Sequence, residues 1–342
     1  MSYSFAELYR NGVPPVLEEG MSREAWEAKR ERIRETWTRW IGGVPEKVSA
    51  QVDVAEETRF DDHRRLRISY STVYGDRITA YLLLPNELQE REDVGKWPAV
   101  LAMHPTHESG KDNVATHEGR ENRMYGLELV RRGYVVLAPD LLTAGDRIYP
   151  GRRAYDSTPF YEQFPDWSTV GKNIIDHIQG VEALCSLGYV DADRIGAIGH
   201  SFGAYNAYFL APFDSRIKAV VASCGVCPFA RTDEPEHWGV RPFPYTHLPR
   251  INEELAQDRV PFDFNEVIAL CAPTPLMLYG AQADHIFPHW QAVAETHLDV
   301  AKLYKWLGVD DRYFALMGAG GHDFPPAIRL TAYHFFDRWL KS

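Results

Sequence analysis

The chain is short of cysteine, has no long apolar run and carries no excess of positive charge, and each shortage removes a class of protein. Four cysteines occur in 342 residues, Cys185, Cys224, Cys227 and Cys271, too few and too scattered for a disulfide framework in a chain of this length. Cys224 and Cys227 have the CxxC spacing of redox and zinc sites. No second CxxC and no nearby histidine pair completes such a site, so the thiols are expected to be packing residues, with no metal and no cofactor. No run of about 18 apolar residues exists, which excludes a membrane-spanning helix. The opening MSYSFAELYRNGVPP lacks the basic start and apolar segment of a secretory leader, and a cytoplasmic location is expected. Lysine and arginine number 37 against 48 aspartates and glutamates, a net charge of −11. That field repels phosphate backbones, so nucleic acid is not expected as a partner.

What is present is the composition of a folded globular protein, 45% hydrophobic and 25% charged, long enough to bury a large core. Residues 22–41, SREAWEAKRERIRETWTRWI, set Trp26, Ile33, Trp37 and Trp40 on one side at helical spacing, with Ser22 as cap. This helix belongs to an expected N-terminal arm, residues 1–60, packed on the main domain. A dimer contact or a wall of the substrate pocket are the other uses of its stripe, and a homo-oligomer stays open. Residues 65–84, RLRISYSTVYGDRITAYLLL, alternate around Tyr-Gly-Asp and read as a hairpin.

From there strands and helices alternate. PAVLAMH (98–104), YVVLAPD (134–140), RIGAIG (194–199), IKAVVAS (217–223), PLMLYGA (275–281) and RYFALMG (312–318) are short apolar runs, as expected of strands covered on both faces. Helices are expected at 123–133, 167–188, just after Ser201, and at about 289–307 and 326–340. The pattern predicts an α/β fold over 61–342, a mostly parallel sheet with helices on both faces. In such sheets ligands bind beyond the carboxyl ends of the strands.

Those ends carry the chemistry. RIGAIG runs into His200-Ser201-Phe202-Gly203 and a helix, so G-x-S-x-G stands on a strand–turn–helix junction. There the serine is exposed on a strained turn beside a helix N-terminus. A serine nucleophile needs a base, and the base an orienting acid. Asp284 follows the strand PLMLYGA, and His322 lies in the glycine-rich loop GAGGHDFPP after the next strand. Asp140 is the reserve acid. Asp323 adjoins the base in sequence and is poorly placed to reach its far nitrogen. His200 adjoins the serine, but the turn points neighbouring side chains apart. An oxyanion needs two donors: the N–H of Phe202, and one from the loop His104-Pro105-Thr106-His107. Pro105 has no N–H, which makes Thr106 the first candidate.

Together GHSFG, the aspartate after PLMLYG, the GHDFPP loop, MHPTHESGKD and RRGYVVLAPD resemble the α/β-hydrolase superfamily. Within it the chain is most similar to the dienelactone-hydrolase-like and acetyl-xylan-esterase-like branch. The resemblance implies the α/β-hydrolase fold, with Ser201 as nucleophile, Asp284 as acid, His322 as base, and the Thr106 and Phe202 N–H groups as oxyanion hole. It implies a serine carboxylic-ester hydrolase acting on a small-molecule ester of short or acetyl chain, carbohydrate esters among them. The other readings are a peptidase or amidase like the prolyl oligopeptidases, and a catalytically silent binding protein of the same fold. Insertions at about 143–167 and 226–262 would form a canopy. His104, His200, Tyr161, Trp238 and Phe243 are the candidates for the substrate pocket.

Overall fold

The computed structural model describes residues 2–90 and 96–341. In chain order the main elements are helix α1 (Arg23–Trp40), strands β1 (Val52–Arg59), β2 (His63–Ser71), β3 (Arg77–Pro85) and β4 (Trp97–Met103), helix α2 (Tyr125–Val130) and strand β5 (Val135–Pro139). Helix α3 (Thr169–Ser186), strand β6 (Val190–His200), helix α4 (Phe202–Leu210) and strand β7 (Ile217–Ser223) follow. The chain continues with helix α5 (Phe264–Ala269), strand β8 (Leu276–Ala281), helix α6 (Trp290–Leu307), strand β9 (Tyr313–Gly318) and helix α7 (Pro326–Leu340). They fall into two compact units, each assembled from separate stretches of chain.

One unit consists of Pro45–Tyr155, Asn173–Ser223 and Phe324–Ser342. Its strands run in the order β7-β6-β4-β5-β3-β2-β1. β4 pairs in parallel with both β5 and β6, and β6 with β7, while β3, β2 and β1 continue antiparallel. Ala99 to Met103 of β4 are fully buried; both faces are covered, which is why the strand reads as an unbroken apolar run. The β2–β3 hairpin turns at Thr72–Asp76, where Gly75 sits at φ 77. β1 lies in the stretch expected as an arm, yet it pairs with β2 at the sheet edge. Its sequence, VDVAEETR, buries almost nothing on either side, so no alternation marked it as a strand.

The other unit consists of Met1–Val44, Asp156–Lys172 and Cys224–Asp323. β8 and β9 pair in parallel within it. Ser22 caps α1 by accepting the Ala25 N–H at 3.2 Å. Trp26, Ile33 and Trp37 of the apolar stripe are buried, and Trp37 meets Phe262 and Phe264 edge-on at 5.1 and 6.2 Å. The helix therefore spends its stripe on the end of the second insertion and the start of α5. The two insertions are also stitched together here. The Ser157 hydroxyl donates to the Pro244 carbonyl at 3.0 Å, and the Tyr161 hydroxyl to Thr246 at 2.9 Å. Among the described residues, no helix is long and apolar enough to cross a membrane.

Candidate active site

β6 ends at His200 and α4 begins at Phe202, so Ser201 alone makes the turn. Its backbone sits at φ 55, ψ −117, a conformation that costs an L-residue energy and that folded proteins keep where chemistry needs it. The Ser201 N–H donates to the Ser223 carbonyl at 2.8 Å, extending the β6–β7 ladder, and its carbonyl accepts the Ala204 N–H at 2.9 Å, opening the helix. The turn is tight enough to demand both flanking glycines. A Cβ on Gly199 would overlap the Gly203 carbonyl group, and one on Gly203 would overlap the Met103 carbonyl of β4. His200 is fully buried, with Nδ1 2.9 Å from the Ser223 hydroxyl and its ring stacked on Phe324.

In the other unit the acid and base candidates meet. Asp284 follows β8 and is 4% exposed. Its Oδ1 accepts the N–H groups of Ile286 and Phe287 at 2.8 and 3.0 Å, and its Oδ2 accepts the His322 Nδ1–H at 2.8 Å. Burial pushes the Asp284 carboxyl up, but the His322 hydrogen bond and charge, with the Phe287 and Ile286 amides, outweigh it and hold the acid below its ordinary 3.8. The glycine-rich loop is tied to the same turn, since the Ala283 N–H donates to the Gly320 carbonyl at 3.0 Å. The imidazole thus has one nitrogen committed to a carboxylate, which leaves Nε2 to move a proton.

Asp140, the reserve acid, is engaged elsewhere. Its carboxylate accepts from Thr79 Oγ1 at 2.7 Å, the Lys111 N–H at 2.9 Å and Lys111 Nζ at 2.7 Å. Lys111 Nζ also bonds Asp146 at 2.8 Å, and the lysine is 2% exposed. Burial lowers the Lys111 pKa, but Asp140 and Asp146 more than offset it and the ammonium stays charged. This cluster anchors the loop after β4. His104 braces the same loop: Nδ1 donates to the Pro105 carbonyl at 2.7 Å, and Nε2 accepts the Leu141 N–H at 3.0 Å. Burial depresses its pKa to about 4 against the opposing pull of Asp140, so it is a neutral internal strut instead of a pocket wall. Thr106 is exposed, and the next amide, His107, donates to the Tyr155 hydroxyl at 2.7 Å. Lys111→Met is expected to lower unfolding free energy by about 3–5 kcal/mol, because it strands the Asp140 carboxylate in the interior. Urea denaturation measures this; an unchanged midpoint contradicts it.

A small pocket is lined by Val226, His237, Ile286, Phe287, His289 and Val293, among others. It shares a wall with the Asp284 turn, and the Phe287 ring packs 5.6 Å from that of His322. Among the described residues, the three aromatic candidates are not part of this lining. Trp238 is buried, stacked on Phe264 at 4.1 Å and donating to the Cys227 carbonyl at 3.0 Å. Tyr161 bonds within the insertions, and Phe243 is 38% exposed under Arg241. Of the lining residues that sequence reasoning missed, Val226, Ile286 and Phe287 stand close to strand ends or motif residues, whereas His237 lies in the middle of the second insertion. Proximity to Asp284 in sequence was the available signal for two of them.

Three comparisons bear on this geometry. A sequence model described as the prolyl oligopeptidase family matches residues 127–341. YtaP of Bacillus subtilis strain 168, named as a hydrolase, is 27% identical over 275 residues, 78% of this chain and 84% of the relative. Dipeptidyl-peptidase 5 of Porphyromonas gingivalis is 28% identical over 170 residues, 48% of this chain and 22% of that protein. Among solved structures, a glucuronoyl esterase from Solibacter usitatus superposes with a TM-score of 0.70 at 16% identity, covering 95% of this chain and 97% of the other. The last likeness shows the α/β-hydrolase fold.

Proposed function

Because the chain belongs to the prolyl oligopeptidase family, whose α/β-hydrolase fold it carries, we propose that it hydrolyses carboxylic esters with short acyl groups through a serine triad. The observation that carries this is the Asp284–His322 hydrogen bond at 2.8 Å, in a chain whose G-x-S-x-G serine stands at a strained strand-to-helix turn. Ser201 Oγ attacks the ester carbonyl while His322 Nε2 takes its proton. The oxyanion is held by the Phe202 N–H at the start of α4 and by the Thr106 N–H. His322 then protonates the leaving alkoxide, and water, deprotonated in turn by His322, releases the acid. Asp284 keeps the proton on Nδ1 and stabilises the imidazolium.

Two features support esters over peptides. The superposition with the esterase extends over nearly the full length of both chains, whereas the peptidase relative corresponds over 22% of its length. The pocket beside His322 is small and its walls are largely apolar, which suits a short acyl group better than a peptide side chain. Short acyl groups such as acetyl are the expected occupants, with carbohydrate esters among the natural candidates. A panel of aryl esters and peptide anilides tests the proposal. Acetate and butyrate esters are expected to exceed decanoate and every anilide in kcat/KM by about 10²-fold or more. Anilides turned over faster than esters would make the protein a peptidase.

A further inference from the structure

In sequence Cys224 pairs with Cys227, but in space its partners are different. It comes directly after β7 at φ 47, and its N–H donates to the Tyr279 carbonyl of β8 at 2.7 Å. The thiol donates to the Asp323 carbonyl, with Sγ 3.5 Å from the oxygen. Sγ of Cys224, a carboxylate oxygen of Asp284 and a ring nitrogen of His322 all lie within 4.8 Å of one another. His322 Nδ1 and Asp284 Oδ2 are already 2.8 Å apart. Cys224 and Asp284 are 3% and 4% exposed, so little water competes for the space between them.

Thiolate, imidazole and carboxylate form a donor set for zinc, with bonds of about 2.3 Å to sulfur and about 2.0–2.2 Å to nitrogen and oxygen, and for its larger congener cadmium at somewhat longer distances. Around a tetrahedral ion such ligands stand roughly 3.3–3.6 Å apart. Side-chain shifts on the order of an ångström therefore close the set, and the Asp323 carbonyl is at hand as a fourth oxygen. We infer that Cys224, Asp284 and His322 form an inhibitory site for a zinc-like divalent cation, on the side of the imidazole that faces the carboxylate.

The inhibitory consequence rests on His322 being the base. The metal takes Nδ1, the thiol proton leaves to solvent, and the proton formerly on Nδ1 moves to Nε2. An Nε2 that already holds a proton cannot accept one from Ser201. The cation therefore stops turnover without entering the substrate pocket, and the inhibition is noncompetitive with the ester.

Cadmium serves as the probe, titrated into the full chain while the ultraviolet charge-transfer band of a cadmium–thiolate bond is followed. One equivalent is expected to saturate the band in the wild type, in Cys227→Ser and in Ser201→Ala. Cys224→Ser is expected to lose the band, and its zinc inhibition constant to rise at least about 100-fold, each variant's metal-free rate being its own baseline. No band in the wild type, or a band that survives in Cys224→Ser, overturns the site. Should Cys224→Ser fail to fold, loss of the band in His322→Asn supports the site and its persistence refutes it. A stoichiometric band without zinc inhibition leaves the metal site standing and removes His322 as the base.

Discussion

Replacing Ser201 with alanine is expected to lower kcat on a short-chain aryl ester by at least roughly 10⁴-fold and to leave the fold intact. Removing the nucleophile of a triad costs about 10⁶-fold, and what survives comes from binding and the oxyanion donors. The backbone contacts that fix the turn are made by the Ser201 N–H and carbonyl, and alanine keeps both. Alanine also has no larger a Cβ to place at φ 55 than serine does. The thermal midpoint should stay within about 2 °C of the wild type, as for a substitution that changes no core volume. Stopped-flow or steady-state kinetics beside a melting curve decides it. A variant retaining more than about a hundredth of the activity would need a different nucleophile.

Asp284→Asn is expected to cost roughly 10⁴-fold in kcat with little loss of stability. The amide oxygen still accepts the Ile286 and Phe287 N–H groups, which hold the turn. The amide nitrogen, however, can only donate, and toward His322 Nδ1 it forces the imidazole proton onto Nε2. That is the same wrong tautomer that a cation at Nδ1 would impose. The carboxyl of Asp284 is held below its ordinary 3.8, so the sign of its pH effect follows. Stability from the pair is present in full above the unfolded-state value and is lost as the pH falls through the lower folded value. The variant should therefore lose the acid-induced part of the wild type's stability change below about pH 4, seen by comparing urea midpoints across that range. A variant as active as the wild type would place the orienting acid elsewhere.

Much of this was legible because buried parallel strands write themselves as apolar runs. PLMLYGA and IKAVVAS became β8 and β7 almost residue for residue. Ser201, Asp284 and His322 were then picked out by standing where those runs stop. What stayed hidden depended on chain segments far apart in sequence. β1 has charges along both faces, so only its pairing with β2 identifies it as a strand. His104 and Trp238 looked like pocket residues because their types suit substrates, yet their polar atoms are spent on Leu141 and Cys227 inside the protein. Cys224 carried a misleading local motif. Its neighbours Asp284 and His322 come from two later strand ends, and no spacing rule connects them.

The most direct test of the central claim is covalent labelling with a fluorophosphonate, followed by intact-mass measurement and peptide mapping. The account predicts one adduct per chain, on the peptide that carries Ser201, and none in Ser201→Ala. Labelling that persists in Ser201→Ala, or that maps to another residue, would contradict it.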